Sequence, residues 1–322
     1  MRLLAGHKKD VRGVAFLPDG RLVSVGSDKT ARLWDPRTGD GKVIHKGRGP
    51  LYAVAVSPDG RTVALGGRHG TPDNLVALYD VAAGKVTRTL SWHVEAMTYI
   101  RTAEAGFTQR LEPVARSIWT LSFSADGRAL VAAGRQPGGG NTPNGGGGCR
   151  WSPLDAAAAT PLQDAKTYAA RYAPAGDTLA VTVLRGVRFH PKFDLEAEPH
   201  MISVQCDWAP AVDFIPGTDT AAVAAGSFVH FAVVGGKRKP VKVKTGLKTV
   251  TALAATPDGR ALLVGGKPGQ VEVFDLAGPV PVRRTAYDFD VGGVLGLAVA
   301  PDGLTFAVAA EKGLLLCDYD SA

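Results

Sequence analysis

The sequence predicts an all-β fold, a closed ring of seven four-stranded antiparallel sheets forming a seven-bladed β-propeller. Three observations carry that expectation. A two-strand unit recurs seven times, its spacing matches one propeller blade, and the last period closes across the two ends of the chain.

The unit is a short apolar strand, a Pro-Asp-Gly turn and a second apolar strand. It reads VAFLPDGRLVSV at 14–25, VAVSPDGRTVAL at 54–65, LSFSADGRALVA at 121–132, LAATPDGRALLV at 253–264 and LAVAPDGLTFAV at 297–308. Two copies are degraded, ARYAPAGDTLAV at 170–181 and VDFIPGTDTAAV at 212–223. The turn proline (alanine in the third copy) falls at 18, 58, 125, 174, 216, 257 and 301. The steps are 40, 67, 49, 42, 41 and 44 residues, and joining the ends adds one of 39. A blade needs ~40–45 residues, so the long step carries roughly 25 extra.

Strand phase supports the same unit. Two residues before the turn position stand Phe16, Val56, Phe123, Tyr172, Phe214, Ala255 and Val299; four before it stand Val14, Val54, Leu121, Ala170, Val212, Leu253 and Leu297. A period of two puts both sets on one face, which must pack against a neighbouring blade. The Asp-Gly turn supplies the positive φ of a tight hairpin.

Composition permits this fold as one domain over 1–322. Hydrophobic residues make up 45% and charged residues 21%, enough for a large core without a disordered tract. The 40 glycines and 21 prolines suit many turns. Cys149, Cys206 and Cys317 include no C-x-x-C pair, so neither a zinc site nor a disulfide framework is expected. No apolar run is long enough for a signal peptide or a membrane span. These features predict a soluble, cytoplasmic protein without a cofactor. The net charge of +7 favours an acidic partner or nucleic acid without choosing between them.

The third strand of several units ends in an aromatic-Asp pair: Trp34-Asp35, Tyr79-Asp80 and Phe274-Asp275, with Cys317-Asp318 in the seventh. With Gly6-His7, Asp10-Val11 and GSDKTARLWD at 26–35, these pairs resemble the WD40-repeat family, and the resemblance covers essentially the whole chain. It implies a repeat offset from the blade, so that residues 1–5 complete the last blade. It also implies that His7, Ser24, Asp28 and Trp34 form a structural tetrad. In that tetrad a buried Asp accepts from the His and the hydroxyl, and the indole N–H extends the chain of bonds.

The family's partner-binding rim corresponds to the position six residues before each turn. Its occupants are Arg12, Tyr52, Trp119, Tyr168, Pro210, Thr251 and Leu295, with Trp208 two residues further back. Arg, Tyr and Trp dominate interface hot spots, so Arg12, Tyr52, Trp119, Tyr168 and Trp208 are the candidate binding patch. Packing of these rings between blades is the competing reading. Two insertions, at about 91–116 and 135–148, are implied to emerge on the same face. Periodicity over 94–105 fits a short helix or a hairpin and does not decide. The stretch RQPGGGNTPNGGGG lacks the Gly-Lys-Ser/Thr ending of a phosphate-binding loop.

Lys237, Arg238, Lys239, Lys242, Lys244 and Lys248 form a basic run with no acid between them. Lys242 and Lys244 alternate with Val241 and Val243, as on an outer strand where lysines guard a sheet edge. The other reading is a phosphate-binding surface, for which no adjacent aromatic platform is visible in the sequence. The seven histidines show no metal-ligand spacing, no hydrolase elbow or H-E-x-x-H pair occurs, and the rim positions hold no carboxylate. The expected function is a non-catalytic, monomeric scaffold binding a protein or peptide around the channel. An anionic-polymer binder is the alternative, and a propeller hydrolase the remote third.

Overall fold

The computed structural model describes residues 1–68, 74–92, 95–102, 106–113, 117–135, 147–156, 158–162, 167–195, 199–204 and 209–319. Seven four-stranded antiparallel sheets follow one another along the chain. The first blade runs from Val11–Phe16 to Gly41–Lys46 and the second from Leu51–Val56 to Lys85–Trp92. The third runs from Ser117–Phe123 to Thr160–Pro161, and the fourth from Ala169–Tyr172 to His200–Ser203. The fifth runs from Val212–Phe214 to Val241–Lys244, and the sixth from Thr249–Ala255 to Val282–Asp288. The seventh takes Val294–Val299, Thr305–Ala310 and Gly313–Asp318 from the end of the chain and Arg2–Leu4 from its start. There Arg2, Leu3 and Leu4 pair with Leu316, Leu315 and Leu314. The ring therefore closes through backbone hydrogen bonds, which removes an open sheet edge.

Seven apolar clusters lie one between each pair of adjacent blades. Between the second and third, Ala53, Ala55 and Ala64 meet Ile118, Leu121 and Phe123. Between the seventh and first, Ala307, Ala309 and Leu314 meet Val14, Leu22 and Trp34, and Leu4 joins them. The residues two and four before each turn thus face the preceding blade, and the alternate residues face the following one. Each second strand is covered on both faces. Leu22–Gly26 and Leu179–Val183 are buried throughout, which explains their unbroken apolar sequence. Alanine is frequent in these inner strands, as in Thr220–Ala225 and Thr305–Ala310, because wedge-shaped blades have least room near the axis.

The repeated turn has one physical construction. In the first blade the Gly20 amide donates to the Leu17 carbonyl, and Gly20 takes φ +85°. That is a type I turn with Pro18 at its second position, closed by a left-handed glycine. Asp19 accepts from the Arg21 amide, as Asp59, Asp126 and Asp258 accept from Arg61, Arg128 and Arg260. The degraded fifth copy reaches the same reversal by another route. Its glycine moves one place forward, to Gly217 with φ +75°, and the Thr218 amide bonds the Ile215 carbonyl. Pro then Gly at the two central positions is the type II pattern.

The first insertion is a hairpin, Glu95–Thr102 paired with Gly106–Pro113, which settles the choice between helix and hairpin. The outer strand of the second blade, Lys85–Trp92, precedes this hairpin. Residues 136–146 of the Gly-rich stretch lie outside the described residues.

Candidate partner-binding site

Each blade's first strand runs from the loop connecting it to the previous blade toward the proline turn. In five blades that strand carries a register shift near its start. The shifts fall between Val11 and Gly13, Leu51 and Ala53, Ile118 and Thr120, Val250 and Ala252, and Val294 and Gly296. The residues between are Arg12, Tyr52, Trp119, Thr251 and Leu295, five of the seven rim positions. A bulge adds a residue to one strand and re-aims its side chain. These five, with Thr120 and Pro210, line a cavity of about 220 Å³ at one end of the channel.

Within it Arg12 is held from two sides. Its Nε donates to Ser27 Oγ at 3.0 Å and its Nη2 to Asp10 Oδ2 at 2.7 Å. The guanidinium carbon lies 5.7 Å from the Tyr52 ring centre, within cation–π range. Tyr52 meets Trp119 edge to face at 6.2 Å, and Trp119 keeps 45% of its surface exposed. The three blades thus present one Arg and two rings with their orientations already fixed. Tyr168 stands just before the fourth blade, half-buried, and its amide donates to the Thr182 carbonyl; it does not line this cavity. Trp208 lies outside the described residues. By topology, the 95–113 hairpin and the connection after Arg135 leave the ring at this same end.

The tetrad residues sit inside the first blade and differ from the expected wiring in one link. Trp34 Nε1 donates to Ser24 Oγ at 2.8 Å, and Ser24 Oγ lies 2.7 Å from His7 Nε2. His7 Nδ1 lies 3.0 Å from Asp28 Oδ2. The serine hydroxyl therefore bonds the histidine, and the hydroxyl that reaches Asp28 is Thr30's, at 2.8 Å. Burial lowers the His7 pKa despite the facing Asp28 carboxylate. A neutral ring donates from Nδ1 to the carboxylate and accepts at Nε2, so the bonds run Trp34 to Ser24 to His7 to Asp28. Burial opposes ionisation of Asp28, but the bonds it accepts from the Lys8 amide, Thr30 and His7 outweigh this and hold it at about 2. Ser24 is fully buried, and the network ties the entry loop to two strands, Leu22–Gly26 and Thr30–Trp34.

The basic run occupies the outer strand Val241–Lys244 of the fifth blade and its flanks, all six side chains exposed. An aromatic neighbour that the sequence reading did not foresee comes from the adjoining strand. Lys242 Nζ lies 4.0 Å from the Phe228 ring centre, so lysine itself covers that face of the ring. Lys242 also stands opposite His230, whose pKa is lowered by burial and then by that lysine's charge. Cys149 and Cys317 are free thiols, and burial pushes Cys317 up to about 12. No helix is long and apolar enough to cross a membrane, and no trio of His, Cys, Asp or Glu able to hold a metal occurs among the described residues.

Sequence reasoning overlooked a charged pair on the channel. Arg171 and Asp213 stand three residues before their turns, between the apolar positions at two and four that carry the repeat pattern. Arg171 Nε lies 3.1 Å from Asp213 Oδ1. The channel wall thus contains a carboxylate, deeper than the carboxylate-free rim.

Residues 1–35 match the family model described as WD domain, G-beta repeat. Among curated proteins, eukaryotic translation initiation factor 3 subunit I of Brugia malayi is 35% identical over 131 residues, which are 40% of this chain and 36% of that one. WD repeat-containing protein 89 homolog of Dictyostelium discoideum is 26% identical over 103 residues, 31% of this chain and 27% of that protein. The matched stretches thus span about a quarter to a third of these relatives. A chain of the Mitotic Checkpoint Complex superposes with a TM-score of 0.76 at 15% identity, covering 99% of this chain and 90% of that one. The WD40 beta propeller domain of Doa1 superposes at 0.73 and 13% identity, covering 99% and 96%. Likeness at such identity shows the fold; the repeat match at 1–35 adds the sequence signature to it. The chain is thus a seven-bladed propeller whose first copy matches the WD domain, G-beta repeat model.

Proposed function

We propose that the chain is a non-catalytic scaffold that binds a protein or peptide at the bulge-bearing end of its channel. The observation that carries this reading is the convergence of Arg12, Tyr52 and Trp119, pre-oriented by one another and by Asp10 and Ser27, on one cavity. Rigid aromatic and Arg groups lose little entropy on binding and supply most interface energy. Tyr168 and Trp208 are proposed as outer members of the patch. The names of similar proteins point the same way: one is an initiation-factor subunit, another a guanine nucleotide-binding protein subunit beta, and a structural neighbour comes from a checkpoint complex. A monomeric ring in the reducing cytoplasm suits the closed sheets and the free buried thiols.

The test is affinity capture from the native cell extract with wild type beside Tyr52→Ala/Trp119→Ala/Tyr168→Ala. Partners retained by wild type and lost by the triple variant support the reading. Equal retention by both defeats it. The same experiment after nuclease treatment addresses the basic strand, since an anionic-polymer binder loses its retained material to the nuclease and to salt.

A further inference from the structure

The opposite end of the channel carries a second site. A cavity of about 430 Å³ opens there, within the usual range for small-molecule pockets. All seven residues that stand three before their turns line it. Five of them are small: Ala15, Ala55, Ser122, Ala254 and Ala298. The other two are Arg171 and Asp213, the only charged side chains among the described residues that line this cavity. Small residues at five positions create the space, and one guanidinium reaches into it.

The wiring of the pair leaves the guanidinium underused. Asp213 is buried at 8% exposure. Its Oδ1 accepts from the Phe214 amide and its Oδ2 from the Ala255 amide of the next blade, each at 3.0 Å. The carboxylate is therefore anchored without Arg171. Arg171 approaches it most closely through Nε, at 3.1 Å, and its side chain remains 49% exposed. Neither terminal nitrogen has a partner among the described residues. An Arg serving only to neutralise a carboxylate favours the bidentate arrangement, with two parallel N–H bonds. Here the end-on fork stays open toward the cavity while Asp213 fixes its direction.

We propose that the turn end of the channel binds a small molecule bearing an oxyanion, a carboxylate or a phosphate, gripped by the terminal nitrogens of Arg171. Asp213 is a positioning residue for that Arg. Apolar walls from Phe16, Tyr172 and Phe214 receive the rest of the ligand. The site is independent of the partner-binding end and stands or falls separately from it.

The probes are inorganic phosphate and acetate, each titrated against chloride at constant ionic strength, with the melting temperature and the heat of binding as readouts. Wild type is expected to show saturable stabilisation by at least one of them; which one identifies the anion class. Arg171→Gln is expected to weaken that binding at least tenfold, whereas Arg12→Gln and Lys242→Gln/Lys244→Gln leave it within twofold. Arg171→Lys keeps a charge beside Asp213, so it folds even where the Gln variant does not. It is expected to lose the preference for the oxyanion over chloride. Asp213→Asn retains the guanidinium unfixed and falls between the two. Absence of saturable binding in wild type, or equal binding by wild type and both Arg171 variants, overturns the proposal. Loss in the Arg12 or Lys242/Lys244 variant instead assigns the anion elsewhere and overturns it equally.

Discussion

Removing residues 1–5 tests ring closure, and the structure sets the size of the effect. Leu4 is 2% exposed and sits among Trp34, Leu22 and Leu314 in the cluster joining the seventh and first blades. Withdrawing a buried leucine costs about 1.5–3 kcal/mol. The three paired residues Arg2–Leu4 also lose their ladder with Leu314–Leu316, worth about 1–3 kcal/mol at the usual net value per bond. The loss is therefore roughly 3–6 kcal/mol. A chain of 322 residues has an unfolding entropy near 0.7 kcal/mol per degree at ~2.1 cal/mol/K per residue. The melting temperature should fall by about 4–9 °C in calorimetry.

Two controls separate closure from a general effect of shortening the chain. Leu4→Ala alone should cost about 2–4 kcal/mol, since the cavity is walled by packed side chains. Leu3→Ala should leave the melting temperature unchanged, because Leu3 is 58% exposed on the same strand. Truncation also bares the Gly313–Asp318 edge, so the shortened chain should self-associate with rising concentration in sedimentation. An unchanged melting temperature on truncation, or equal costs at Leu3 and Leu4, would refute the reasoning.

Four further outcomes follow. Asp28→Ala should destabilise by about 1–3 kcal/mol in urea unfolding, because the Lys8 amide, Thr30 and His7 lose their acceptor; a neutral effect rejects the network. Gly217→Ala should cost about 1–2 kcal/mol from backbone strain alone, since φ is +75° and a Cβ there meets nothing within 4 Å. The Tyr52/Trp119/Tyr168 triple alanine variant should lose captured partners and keep the wild-type circular dichroism spectrum; a collapsed spectrum would make the rings structural. Stability should fall on acidification through and below about pH 6.5. Burial lowers the pKa values of His7, His45 and His230, so below the ordinary value of 6.5 the unfolded chain binds more protons than the folded one. The stability these groups contribute is complete above that value and is lost as pH drops through their folded values. His230→Gln should flatten the slope of unfolding midpoint against pH, and an unaltered slope counts against His230.

The ring was legible because its signals are local. A turn needs a residue with positive φ, and all seven turns place a glycine there, from Gly20 to Gly303. The copies at 170–181 and 212–223 looked degraded only because Asp is missing. Gly176 and Gly217 preserve the backbone conformation, and in the latter case the turn type changed to suit the glycine's place. The aromatic-Asp pairs were legible for a comparable reason. Trp34, Tyr79 and Phe274 are buried to within 2% of their surface, while Asp35, Asp80 and Asp275 close the next turn by accepting from Arg37, Ala83 and Ala277.

What the sequence hid is whatever depends on the distance between blades. Arg12, Tyr52 and Trp119 could be aligned by counting back from a turn, but their mutual contact depends on three bulges pointing at one cavity. Arg171 and Asp213 are 42 residues apart in the chain, one repeat step, so no local motif joins them. Yet the same register that exposed the core contained them. If residues two and four before a turn face the preceding blade, the one between faces the following blade at the channel's edge. In most copies that place is Ala or Ser, because the next blade's Phe, Tyr or Val needs the room. A charge there breaks the steric rule of the repeat and has to be compensated. The adjacent blade supplies a carboxylate held by two amides. In a repeat fold, departures from the packing rule at otherwise uniform positions are therefore the most informative residues. In this chain they lie at the opposite end of the channel from the aromatic rim.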